Sequence, residues 1–447
     1  MNFSELFKQS NHLCGFSPNG KYLASAVQFR LVVRDVKSLQ ILQLFTCADT
    51  IQYIGWAPDS CFLVAGMFKR GIVQVWSIDN PEWTCKIDEG SAGLTEVQWS
   101  PDSRHLLTTA DFHLRITVWS LVNKSVSYMK YPKKSKPGLC FTHDGKYMAL
   151  AERRDCKDVI SIFVCSSWEL VKHFDVATVD LAGISWSPDG RVLCVWESLL
   201  ENKVLMYSVD GRCLSEYSPY RDALGIKTLS WSPSSQFLAI GSYDEKLRIL
   251  NHITWKPVAE HCHPGGIESL NVVVYKEVEK KPQLKRHQLT LRDVSLRAQS
   301  KYEVIEERPV NVKTVKPVPD SVNPRLGVGL LSWSADNKYL VTRNDNMPCT
   351  LWIWDLMKLK LMVALIHAHP VRGAEWEPTQ SRLAVCTGTN KLYLWQPAGC
   401  VSVEVPSDAA FQVTSLSWSP TGGAITLIGK DQFCVAYLTD EDEEEDT

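Results

Sequence analysis

Three things are missing from this chain: cysteine spacing that would frame a fold, long apolar runs, and any excess of charge. Its 14 cysteines are scattered, with no C-x-x-C pair. The N-terminus Met1-Asn2-Phe3-Ser4-Glu5 is unlike a signal peptide, so a reducing, intracellular compartment is expected. No apolar run approaches the roughly 18 residues of a membrane helix, which argues against a span. Lys and Arg number 48 against 50 Asp and Glu, a net charge of -2, too mild a balance to imply nucleic acid. Catalytic signatures are missing too: there is no P-loop, H-E-x-x-H, G-x-S-x-G or dinucleotide fingerprint. No enzyme activity, cofactor or metal is therefore expected.

What the chain does have is a repeated turn unit, clearest in Trp186-Ser187-Pro188-Asp189-Gly190. An aromatic closes one strand, Pro and Gly supply turn chemistry, and an apolar run resumes at Val192-Leu193. Variants begin at Phe16, Trp56, Trp99, Phe141, Trp231, Trp333, Trp376 and Trp418, nine units in all. Their spacings are 40, 43, 42, 45, 45, 102, 43 and 42 residues, and all but one fit the about 40 to 45 residues of a four-stranded propeller blade. Between units, 71–78, 114–121 and 351–356 are β-branched and aromatic, as third strands of blades should be.

The expected fold is all-β: a β-propeller of about nine recognisable four-stranded blades over residues 1–438. Only two strand-like runs follow the unit at Trp418, so Phe3 to Lys8 are expected to supply the last blade's outer strand and close the ring. The 102-residue gap admits a tenth, degenerate blade or an insertion at 270–325, with 280–300 a mobile basic loop. A single ring and two propellers both remain open. Residues 439–447 form an acidic tail, with seven consecutive acids from Asp440 to Asp446, expected to be disordered.

These features resemble the WD-repeat propellers, with Trp354-Asp355 the one full instance of the name-giving dipeptide. Trp76-Ser77, Trp119-Ser120, Tyr207-Ser208, Arg34-Asp35 and Trp395-Gln396 take its place elsewhere, and the family's Gly-His element survives only partly, as His367. Most blades should therefore lack the buried His, Asp, Ser/Thr and Trp network and lean on apolar packing. Residues 86–94, 112–119, 149–158 and 225–255 resemble a centrosomal and spindle-pole branch of that family. The resemblance implies a scaffold in the cytoplasm and cytoskeleton, at centrosomes, centriolar satellites and spindle poles. It also implies a coiled-coil anchoring partner, microtubule-organising components, and roles in microtubule anchoring, spindle assembly and cilium formation. A propeller that binds RNA or translation machinery is the alternative.

Candidate partner-binding residues come from two places where the repeat departs from itself. Arg153, Arg154, Asp155, Lys157 and Asp158 crowd a second-to-third strand connection. The arginines could pair with partner carboxylates and the acids select register, or the charges could pair with one another. Lys280, Lys281, Lys285 and Arg286 form a basic cluster, as do Lys130, Lys133, Lys134 and Lys136, and either could meet an acidic surface such as tubulin's. His261-Cys262-His263 is the best metal candidate, although adjacent strand residues point apart, which favours a plain strand end.

Overall fold

A computed structural model of the chain describes residues 1–133, 137–279, 300–318, 321, 323–406 and 411–438. Each turn-unit aromatic ends the first strand of a four-stranded antiparallel blade, because the Pro and left-handed residue after it cannot extend a strand. That last position is Gly190 (φ 69°) in the clearest copy and Ser60, Ser103 or Ser235 in copies without glycine. The first strands of neighbouring blades lie side by side, innermost, and fourth strands such as Leu170–Asp175 are mostly exposed. Blades 1 to 9 span residues 14–46, 53–88, 96–130, 139–175, 181–217, 226–262, 328–366, 373–404 and 415–437.

Nine apolar clusters fill the nine gaps between consecutive blades. The last joins Phe433 and Val435 of blade 9 to Leu23 and Val36 of blade 1. The nine blades therefore form one closed ring. In five blades the turn-unit tryptophan also bolts neighbours together: its indole N–H donates to the carbonyl just before the preceding blade's aromatic, whereas among the described residues Trp186 and Trp231 leave theirs without a partner. Trp56 reaches Gly15 O (3.1 Å), Trp99 Gly55 O (3.0 Å), Trp376 Ser332 O (3.1 Å) and Trp418 Glu375 O (2.9 Å). Phenylalanine at blades 1 and 4 cannot make this bond.

Closure follows the expected scheme. Asn2–Phe3 and Phe7–Lys8 pair antiparallel with the third strand of blade 9, Gln432–Tyr437, and act as its fourth. Among the described residues the long gap makes no tenth blade. Val273–Glu279 instead adds parallel to the outer strand of blade 7, Lys360–Ile366, with Ser300–Val304 beyond it, which gives that sheet six strands. The physical reason lies in composition: the outer strand Lys-Leu-Met-Val-Ala-Leu-Ile would leave a bare apolar edge, and the insertion covers it. Buried Glu277 pins the insertion, accepting from Ala368 N (2.9 Å) and Tyr393 Oη (2.8 Å). Residues 280–299 and 439–447, which carry the expected loop and tail, lie outside the described residues.

The polar networks expected to be rare are present in altered form. In blade 7, His263 Nδ1–H donates to Glu245 O (2.8 Å), and its Nε2 accepts from Thr342 Oγ1 (2.8 Å). That hydroxyl in turn accepts from Trp354 Nε1 (2.8 Å). In blade 3 buried Glu89 replaces histidine, joined to Thr108 and Trp119. His367 bonds Tyr302 Oη (3.0 Å) from the insertion.

Burial lowers both His263 and His367 from the usual 6.5 to about 4. The folded state thus binds these protons more weakly than the unfolded chain. Their contribution to stability is complete above pH 6.5 and is lost as pH falls toward 4, by about 3 kcal/mol for each histidine. Urea melts between pH 7 and 4.5 should show the slope, and His367→Asn should make it shallower by about one proton. Equal slopes in variant and parent would refute the assignment.

Candidate functional site

In every blade the second-to-third strand turns and the inter-blade links emerge on one face of the ring, here the loop face. Blade 4's second and third strands, Tyr147–Arg154 and Lys157–Val164, meet there in a two-residue turn. Both turn residues, Asp155 and Cys156, have positive φ (47° and 62°), the type I′ geometry that matches strand twist but that glycine or asparagine usually supplies.

Most of the flanking charges face one another. The Asp158 side chain is fully buried: Oδ1 accepts from Lys133 Nζ (2.7 Å) and Arg153 Nη1 (3.1 Å). Its Oδ2 accepts from Leu181 N (2.7 Å) and Thr178 Oγ1 (2.9 Å). Read from the sequence as a partner contact, Asp158 is instead an interior acceptor that ties blade 4 to the link leading into blade 5. Arg153 also donates to Val179 O (3.1 Å), and Arg154 binds Glu152 (2.6 Å) and lies over the Tyr131 ring. Asp155, Cys156 and Lys157 form the exposed tip. Lys280, Lys281, Lys285 and Arg286, with Lys134 and Lys136, lie outside the described residues.

Around this hairpin the loop face carries an apolar crest that the sequence reading missed. Phe112 is 89% exposed and Leu114 64% on blade 3, Val179 is 70% exposed between blades 4 and 5, and Leu200 is 72% exposed on blade 5. Phe112 also sits at φ 57°, a left-handed conformation uncommon for a bulky residue. In sequence these are isolated apolar residues within turns, and no periodicity marks them.

Elsewhere the chemistry is sparse. The innermost strands carry two acids, Glu96 on blade 3 and Glu375 on blade 8, and no histidine. His261 and Cys262 end the outer strand of blade 6, and His263 serves the network of blade 7. Among the described residues no group of three His, Cys, Asp or Glu could hold a metal, and no helix is long and apolar enough to cross a membrane.

The family described as WD domain, G-beta repeat matches residues 211–251. That span is the outer strand of blade 5 plus the first three strands of blade 6, so the sequence repeat is offset by one strand from the blade. WD repeat-containing protein WRAP73 of Mus musculus is 58% identical over 98% of this chain and 96% of its own length. The chain belongs to the WRAP73 family of WD-repeat proteins. A WD repeat-containing protein of Schizosaccharomyces pombe is 26% identical over 99% of this chain and 94% of its own. The C-terminal WD40 domain of Sif2 matches with a TM-score of 0.52 at 13% identity, covering 87% of this chain and 96% of that one, a likeness of fold alone. As a WRAP73-family propeller the chain is a scaffold type, whose rigid blades present loops to protein partners.

Proposed function

We propose that the chain is a non-enzymatic scaffold of centrosomes, centriolar satellites and spindle poles. It holds a coiled-coil anchoring partner on the loop face of blades 3 to 5, and so supports microtubule anchoring, spindle assembly and cilium formation. The observation that carries the docking site is the crest of Phe112, Leu114, Val179 and Leu200. Large exposed apolar side chains on one face mark interaction sites, and an amphipathic helix could lay its apolar stripe across them. Strained backbone such as that at Phe112 tends to be kept where function needs it. Arg154, Asp155 and Lys157 would form the polar rim, setting orientation more than affinity. The centrosomal setting rests on the sequence resemblance.

Proximity labelling in cells tests both parts. The parent chain should enrich coiled-coil centrosomal proteins, and Phe112→Asp with Leu200→Asp should reduce that enrichment at least tenfold while the melting temperature stays unchanged. Enrichment of ribosomal proteins instead would favour the translation-machinery reading.

A further inference from the structure

A second feature of the loop face lies away from the crest, over the seam where the ring closes. A cleft of about 640 Å³ opens between blades 9 and 1. Lys8 and Gln9 line it from the N-terminal strap, Gln28 from blade 1, and Gln412, Lys430 and Gln432 from blade 9. Gln9 is 4% exposed, and its Nε2 donates to Gly429 O (2.8 Å) and Gln432 O (3.3 Å) while its Oε1 has no partner. Among the described residues, the side chains of Lys8, Lys430, Gln28 and Gln412 make no hydrogen bond or ion pair. Asp431, also in the lining, is the one opposing charge.

We infer that this cleft binds a short, extended acidic segment of another protein. Carboxamides both donate and accept, so Gln28, Gln412 and Gln432 can pair with the N–H and C=O groups of a peptide backbone. Lys8 and Lys430 favour carboxylates, and they outnumber Asp431. A segment seated here touches the strap, the first blade and the last blade together. It binds only the closed ring, so it stabilises closure by mass action.

The test uses the full chain and a fluorescein-labelled hexaglutamate peptide, read by anisotropy at low salt and by thermal melting. Saturable binding is expected, weakening as salt rises, with a matching rise in melting midpoint, and a hexalysine peptide should not bind. Lys8→Glu with Lys430→Glu should lower affinity at least tenfold, whereas Lys203→Glu on blade 5 should leave it unchanged. Neutralising Asp440 to Asp446 should also leave affinity unchanged. Tenfold tightening there would mean that the chain's own terminus occupies the cleft and would overturn the assignment to a partner. Absence of saturable binding, or equal binding by the double charge reversal, would overturn the site itself.

Discussion

A chain lacking residues 1–9 is expected to melt about 5 °C below the full chain. The deletion removes both strands that complete blade 9 and leaves Gln432–Tyr437 as a bare edge. It also strips Met1, Phe3 and Leu6 from the cluster between blades 8 and 9, and Phe7 from its ring contact with Phe433 (5.4 Å). These side chains are partly buried, so each contributes about 1 kcal/mol, below the roughly 1.5–3 kcal/mol of full burial. Together with the lost strand pairing, about 5 kcal/mol is a fair total. For 447 residues, an unfolding entropy of about 2.1 cal/mol/K per residue makes 1 kcal/mol worth about 1 °C. The small shift conceals a local effect: backbone amides of 432–437 should exchange far faster, because opening there no longer breaks a closed ring. Calorimetry and hydrogen exchange read the two effects, and an unchanged melt with unchanged protection of 432–437 would show that the strap does not close the ring.

The second large effect is expected at Asp158. Replacing it with alanine leaves Lys133, whose side chain is 7% exposed, without its inner carboxylate. It also leaves Thr178 Oγ1 and Leu181 N without their acceptor. Removing one partner from a buried ion pair costs about 3–5 kcal/mol, since the remaining charge stays desolvated. Asp180 lies 2.8 Å from Lys133 and should hold the loss to about 3 kcal/mol. Asp155→Asn, at the exposed tip of the same hairpin, keeps a residue type that tolerates the positive φ there and should change stability by less than about 0.5 kcal/mol. Urea denaturation compares the two, and equal midpoints would contradict the interior role of Asp158. The pair also separates folding from recognition within one short charged stretch: a partner-binding defect in Asp155→Asn would come without instability.

How much was legible in the sequence follows from the range of the interactions concerned. The turn unit is local: Ser, Pro, Asp and Gly act within five residues, so each copy could be recognised and its neighbours counted. Third strands such as Ile72–Ser77, Arg115–Ser120 and Thr350–Asp355 were legible for the same reason. Phe3 to Lys8 could be matched to the missing outer strand because the count of strands after Trp418 left one place unfilled. The insertion was legible as strands but not as a partner for blade 7, since Val273 and Val363 pair across ninety residues of sequence. Glu89, standing where the family's histidine element would fall, was invisible because its role depends on Thr108 and Trp119 arriving from two other strands. The crest was illegible for a different reason: Phe112, Val179 and Leu200 sit on three separate connections, and nothing in any one of them marks an exposed patch.

By itself, then, the sequence determined the propeller, nine turn units and the terminal closure, and left a tenth blade open, because short-range turn chemistry and strand patterning carry only that information. Only the tertiary structure decided that the ring is single, that the insertion caps blade 7, and that Asp158 is an anchor rather than a contact. It also decided that Lys8, Gln9, Gln28 and Lys430 share one cleft. Each of these depends on which distant residues the closing ring brings together, and burial is a property of the assembled ring, not of any segment within it.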